Sequence, residues 1–209
     1  MLDDANTVAT RAREAVLAGY AGDADAVRDA RLDPDPTVRA RAVAAAARLG
    51  RRTVADRVGD LNDDAVEVRR RACELEARTP RRSVRVAAAL VGCLADPDPL
   101  VVVAAADALG EAGTTAAVAA LASIAAAHPD ARCREAAIAA LGAIGDPEGV
   151  GAVLAGLDDK PAVRRRAVVA LAAFRGDEVE AALARALEDR DWQVREVAQA
   201  LLAVSGEVP

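Results

Sequence analysis

Apolar positions along this chain keep a phase that restarts about every thirty residues. Valine is followed by arginine at Val38-Arg39, Val68-Arg69, Val163-Arg164 and Val194-Arg195, and Val101-Val102 and Cys133-Arg134 fill the two gaps. Four residues after the first member of each pair stands an alanine in every copy: Ala42, Ala72, Ala105, Ala137, Ala167 and Ala198. Seven residues on come Ala45, Leu75, Ala108, Ala140, Ala170 and Leu201; eight on come Ala46, Glu76, Leu109, Leu141, Leu171 and Leu202. Offsets of 0, 4, 7, 8 and 11 share one face at the helical period. Each copy is therefore expected to carry a helix with one apolar stripe. The all-alanine offset marks the expected point of closest approach between neighbouring helices.

A shorter apolar stretch precedes each of these helices, as in "PEGVGAVLAGLDD" from Pro147 and "DEVEAALARALED" from Asp177. Aspartate and proline between the two stretches suit a helix N-terminus: the carboxylate caps free backbone N–H groups, and proline fixes the entry angle. Glycines such as Gly50, Gly113 and Gly145 stand where the longer helices should end. The unit is a helical hairpin. One hairpin cannot bury its own stripe, so the units must stack. The expected fold is an all-α, right-handed α-solenoid of about six hairpins. The segment "NTVATRAREAVLAGYAGD" would add an unpaired N-terminal capping helix.

Composition narrows the core chemistry. Aromatic residues are only 1% of the chain, so alanine, valine and leucine must fill the interior with closely packed helices. Cys73, Cys93 and Cys133 lack metal-ligand spacing, and their odd number argues against a disulfide framework. They read as small buried residues of a cytoplasmic protein. The N-terminus "MLDDANT" is acidic and has no apolar run, so no signal peptide is expected. The uncharged stretch from Ala112 to Pro129 approaches the length of a membrane span. Its alanine richness and its phase with the repeat make it a buried helix instead.

The phrase Asp-Pro-x-Val-Arg-x-x-Ala-x-x-Ala-Leu-x-x-Ile-Gly resembles the HEAT repeat, in its short bacterial form known as PBS-lyase-like. The resemblance runs from about Asp23 to Gly206. It implies one solenoid domain over 1–209, with a cap at 1–22 and repeats near 23–50, 51–79, 80–113, 114–145, 146–175 and 176–206. It also implies a ladder of hydrogen bonds between turn aspartates and helix arginines. The matching pairs here are Asp35 with Arg39, Asp64 with Arg69, Asp130 with Arg134 and Asp191 with Arg195. Arg164, which has Lys160 at the aspartate's place, would use Asp158 or Asp159. Val102 leaves the third copy without its arginine and Asp98 without the usual partner. Either Leu100, Val101 and Val103 pack more apolar surface there, or they expose a patch for a partner.

Enzymes that share such repeats set tests that this sequence does not meet. Deoxyhypusine hydroxylase holds iron with paired His-Glu motifs, whereas this chain has one histidine, His128, beside Pro129. Phycobilin lyases carry the repeat too, but nothing here identifies a pigment-handling cysteine. Alkylpurine DNA glycosylases use a basic, aromatic-lined face; here Tyr20, Phe174 and Trp192 are scattered. Trp192 reads as a terminal packing residue, with an exposed aromatic anchor as the alternative. There is no phosphate loop, nucleophile elbow or cysteine–histidine pairing in phase with the repeat. No cofactor, metal or catalytic residue is assigned.

Charge is unevenly placed. Between Arg28 and Arg85 fifteen arginines face ten acidic residues, although the whole chain carries −6. On the solvent side of the long helices the first two copies place Arg41, Arg48, Arg70, Arg71 and Arg78. The third and fourth place Asp107, Glu111 and Glu135, and the fifth returns to Arg165 and Arg166. The function these features suggest is a monomeric, non-catalytic scaffold. It would bind a protein or peptide, with an acidic segment, on a concave face. Candidate contact residues are the five arginines together with Leu100 and Val103. The competing readings are a lyase- or hydroxylase-related enzyme subunit, and polyanion binding by the basic third. The overall negative charge argues against nucleic acid, and no membrane association is expected.

Overall fold

The computed structural model describes residues 2–79 and 83–205. Among them are thirteen α-helices, short 3-10 turns and no strand. The expected repeat boundary at 80 and the end of the last repeat at 206 lie outside the described residues. The chain divides into two compact units, Met1–Cys93 and Leu94–Pro209.

The first unit holds α1 (Leu2–Ala21), α2 (Ala24–Ala30), α3 (Pro36–Arg48), α4 (Val54–Leu61), α5 (Val66–Ala77) and α6 (Val84–Cys93). Here α2–α3 and α4–α5 are the first two hairpins, α1 lies against α3, and α6 packs on α4. The second unit holds α7 (Pro99–Glu111), α8 (Val118–Ala127), α9 (Ala131–Ile144), α10 (Val150–Ala155), α11 (Pro161–Leu171), α12 (Asp177–Ala186) and α13 (Trp192–Ser205). In it α9 packs between α7 and α11, and α13 follows α11. Within the units, five short–long helix pairs (α2–α3, α4–α5, α8–α9, α10–α11 and α12–α13) make this an all-α solenoid of hairpins. The uncharged stretch before Pro129 forms a 3-10 turn and the ten-residue α8, and no described helix is long and apolar enough to cross a membrane.

The long helices keep the phase that the sequence predicts. All six alanines at the fourth offset are fully buried, as are the five valines and Cys133 that open the stripes. A second close approach, which the alanine count does not single out, lies further along. A methyl group on Gly110 would stand 2.9 Å from the Ala140 Cα, and one on Gly142 2.8 Å from the Ala170 Cα. A methyl on Gly19 of α1 would be 3.0 Å from the Ala45 Cα. In each case a glycine nine residues into one helix admits the alanine seven residues into the next. The three helix pairs joined this way share the most extensive contact. So α1 behaves as the long helix of a hairpin, which is why it caps the first repeat so closely. Leu17 holds the seventh offset on α1, and it is 53% exposed because no described helix covers it.

Turn chemistry follows the aspartates, with one shift from expectation. Asp35, Asp98, Asp130 and Asp191 each accept a backbone N–H two residues on, from Thr37, Leu100, Arg132 and Gln193. These carboxylates cap their own helices and do not reach the next hairpin. The inter-hairpin acceptors lie elsewhere in the turns. Arg39 holds Asp63 through Nε at 3.1 Å and Nη2 at 2.8 Å, and also reaches Asp64 at 2.6 Å. Arg134 grips Asp159 at 2.6 and 2.7 Å, and Arg164 grips Asp189 at 2.8 Å twice. Arg11 of α1 does the same to Asp33 at 2.8 and 3.2 Å. The reason is geometric. The cap aspartate is already committed to its helix N-terminus, whereas the ladder aspartate faces back toward the preceding helix. The arginines of the hairpins also donate to carbonyls of their own turns: Arg39 to Asp33 and Pro34, Arg69 to Asp63 and Asp64, Arg195 to Asp189. Asp159 thus serves Arg164 by its carbonyl and Arg134 by its carboxylate.

The gap at Val102 is a concerted change. Val101 and Val102 are fully buried, so the third long helix uses its first turn for packing. The carbonyl that Arg134 takes from its own turn belongs to His128, so His128 occupies the place held by Asp63, Asp159 and Asp189 in other turns. Both members of that rung have been replaced, the cation by valine and the carboxylate by imidazole. His128 Nδ1 still accepts the Asp130 N–H at 3.1 Å, as the ladder carboxylates do two residues on. Asp98 loses nothing, because its task is the cap.

Candidate functional site

In the second unit the open face of the long helices is marked by a shallow groove of about 430 Å³ between α9 and α11. Its lining includes Arg166, Ala139, Val169, Gly142, Ala172 and Ala143, the third, sixth, ninth and tenth offsets. Val169 is 42% exposed there. Arg166 reaches Glu135 at 3.4 Å. Asp107, at the sixth offset of α7, has its carboxyl pushed up by loss of solvent, with Arg166 opposing and Glu111 adding to the rise. Of the apolar candidates, Leu100 is 42% exposed and Val103 is only half-buried. Their neighbours Val101 and Val102 belong to the core.

The third and tenth offsets of α3 and α5 in the first unit carry arginine. Arg41 and Arg78 are exposed and have no partner among the described residues. Arg48 is exposed and lies 4.0 Å over the ring of Tyr20 on α1. Arg70 and Arg71 share Glu74, at 3.5 and 3.0 Å. Sequence reasoning did not bring α1 into this surface. The signal was present in its arginine: Arg11 makes a ladder contact, which places Arg13 at the third offset and Tyr20 at the tenth. Arg13 is exposed, and Tyr20 is 71% exposed.

The first unit also holds a cluster of buried charges around Glu76, which the sequence pattern places at the eighth offset without a role. Glu76 is fully buried and takes Arg52 at 3.3 Å and Arg57 through both carboxylate oxygens. Asp60 takes Arg52 at 3.0 Å and Arg31 at 2.7 Å, and Arg31 also holds Asp56 at 2.7 Å. Burial raises the Asp56 carboxyl, but Thr53 and Arg31 outweigh it and hold the group down to about 2. Three cations meet three anions, so the cluster is neutral and works as a tie between the first two hairpins.

The ladder carboxylates are likewise held low. Arg11 lowers Asp33, Arg134 lowers Asp159, and Arg164 lowers Asp189, each by direct hydrogen bonding against a smaller effect of burial. Cys73, Cys93 and Cys133 are free and buried, and burial raises the Cys133 thiol. Among the described residues no group of His, Cys, Asp and Glu could hold a metal ion. Trp192 is not a packing residue: it is 61% exposed at the first turn of α13.

The likenesses to known proteins are those of a repeat fold. No curated protein matches the chain. The solved structure of YibA from E. coli superposes with a TM-score of 0.64 at 16% identity, covering 88% of this chain and 71% of that one. A designed armadillo repeat protein in complex with the peptide (KR)4 gives 0.57 at 17% identity, covering 91% and 98%. Human deoxyhypusine hydroxylase in complex with glycerol gives 0.51 at 22% identity, covering 95% and 80%. At these identities the likeness is one of fold. The family model for HEAT repeats matches residues 57–142 and 121–203, and the chain belongs to the HEAT repeat family.

Proposed function

We propose that the chain is a non-catalytic scaffold that binds a protein or peptide segment across the exposed face of its long helices. One observation carries this reading. Offsets 0, 4 and 8 are spent on the core, with Glu76 in the buried charge tie, and the first-turn arginines on the ladder. Offsets 3 and 10 of α3 and α5 instead hold arginines with little or no internal work. A rigid surface whose side chains are not needed by the fold suits recognition by shape and charge. The fold neighbour that carries a bound (KR)4 peptide supports the same kind of use. The scattered aromatics and the lone His128 supply no catalytic or base-stacking group, so enzyme and nucleic-acid readings have less to stand on.

Selection from a random peptide display library on the immobilised protein tests the reading. Enriched peptides should bind the protein in solution, and substitutions at the exposed third and tenth offsets should weaken them. Failure to enrich any peptide, or stoichiometric iron in the purified protein together with hydroxylase activity, would overturn it.

A further inference from the structure

The first unit contains a regular array that the five arginines alone do not reveal. Two independent contacts place α1 in the same register as α3 and α5. Arg11 reaches Asp33 as Arg39 reaches Asp63, and Gly19 admits Ala45 as Gly110 admits Ala140. The third offsets of α1, α3 and α5 are then Arg13, Arg41 and Arg71, and the tenth offsets are Tyr20, Arg48 and Arg78. The stacking of Arg48 on Tyr20 at 4.0 Å shows that tenth offsets of neighbouring helices adjoin. Two parallel rows therefore cross the three helices. Seven residues separate the rows, about 10 Å along a helix axis. Successive members of a row are about 8–10 Å apart, the usual spacing of packed helices. The floor between the rows has Val16, Ala44 and Glu74 at the sixth offset, and Glu74 is its one acid. Glu74 takes Arg71 at 3.0 Å and leaves the rest of the array unneutralised.

We infer that this array binds an extended acidic segment of a partner protein, lying across α1, α3 and α5 between the two arginine rows. The inference rests on the scaffold reading and names the partner chemistry of its first unit. An extended chain advances about 3.3 Å per residue and turns alternate side chains to opposite sides. About six to eight residues would cross the array, with carboxylates reaching both rows. Glu74 shows the contact in miniature, since a carboxylate between the rows draws in Arg71 and Arg70. A polypeptide fits better than a nucleic acid. Sequence-tolerant single-strand binding relies on several aromatic platforms, and here the single ring, Tyr20, is already covered by Arg48. Duplex DNA, with one charge per roughly 1.7 Å of axis, would also bring far more negative charge onto Glu74 than the five arginines of the rows offset.

The experiment uses the full chain and a fluorescent octapeptide of alternating Glu and Asp. Its comparators are the matching Gln–Asn octapeptide, a single-stranded oligonucleotide and polyphosphate. The acidic peptide should bind best, and its affinity should fall as salt rises. Arg41→Glu with Arg78→Glu, two exposed groups with no internal partner, should weaken it by about tenfold, roughly 1.4 kcal/mol, and leave the helical circular dichroism intact. Arg85→Glu with Arg185→Glu makes the same change in net charge outside the array and should weaken it by less than about threefold. Equal loss in both double variants, tighter binding of the oligonucleotide or polyphosphate, or no binding of the acidic peptide would each overturn the inference. Display selection separates this failure from that of the scaffold reading. Enrichment of neutral or basic peptides would leave a peptide scaffold whose site is not this array, whereas no enrichment at all would remove both.

Discussion

The two units use one repeat and fasten it differently. At the eighth offset the second unit places Leu109, Leu141 and Leu171, all buried and apolar. At the same offset α5 in the first unit places Glu76, just as deeply buried, and surrounds it with Arg52, Arg57, Asp60 and Arg31. Leucine at this position needs only shape. Glutamate needs every neighbour that balances it, since the cost of burying a lone charge exceeds what packing returns. The contrast extends outward. Long helices approach through glycine in both units, at Gly19 in the first and at Gly110 and Gly142 in the second, but the second exposes an alanine-lined groove and the first exposes rows of arginine. A repeat therefore constrains where a residue is buried more strictly than it constrains what that residue is.

The sharpest way to break the comparison is to make the first unit resemble the second. Glu76→Leu installs the leucine of the second unit's repeats but strands Arg57 and leaves Arg52 with Asp60 alone. It should destabilise the first unit by about 3–5 kcal/mol, the usual cost of removing one member of a buried pair. Urea melts would check this, and a neutral outcome would mean that the arginines escape to solvent and the cluster is no tie.

A smaller effect is expected from Val102→Arg, which rebuilds half of the replaced rung in the second unit. With His128 in the acceptor's place the guanidinium is buried without a carboxylate, costing about 1–3 kcal/mol. Adding His128→Asp should return part of that loss, with a coupling of about 0.5–3 kcal/mol in a double-mutant cycle. Strict additivity would show that the two positions do not face each other.

Packing of the long helices can be probed at similar cost. Ala137→Leu overfills a fully buried site, and Gly142→Ala drives a methyl to 2.7 Å from the Ala170 Cβ. Each should cost about 1–3 kcal/mol. Ala139→Leu, on the open groove, should cost little. Equal melting temperatures for Ala137→Leu and Ala139→Leu would contradict the helix phase.

The gentlest effect is on pH. Asp56, whose carboxyl is held at about 2 against an ordinary 3.8, and the ladder carboxylates Asp33, Asp63, Asp159 and Asp189, are all lowered. Groups with depressed values stabilise the fold fully above about pH 4, where the unfolded carboxylates are also ionised. That stability is lost as pH falls from there toward 2. Thermal melts between pH 5 and pH 2, run at about 0.15 M salt, should show a progressive fall; a flat profile would mean that the ladder is screened out.

Much of the fold was legible in advance, because a helical stripe repeated six times leaves few ways to bury it. The six alanines, the caps and the length of each hairpin depend on neighbours within a turn or two of the same helix, so local sequence determines them. What the tertiary structure decided is which groups meet across hairpins. The ladder acceptors proved to be Asp63, Asp159 and Asp189 instead of the cap aspartates, because two carboxylates stand in the same turn and only packing orients one of them backward. Trp192 was open to either reading until its exposure was known. Glu76 is one glutamate among alanine and leucine in the sequence, and only the packed hairpins bring Arg52 and Arg57 onto it. Even the arginine array was half hidden, since α1 lacks the repeat's signature and joins the register only through Arg11 and Gly19. Periodicity specifies the face on which a side chain lies; the partner on that face is fixed only when helices far apart in the chain are brought within reach of one another.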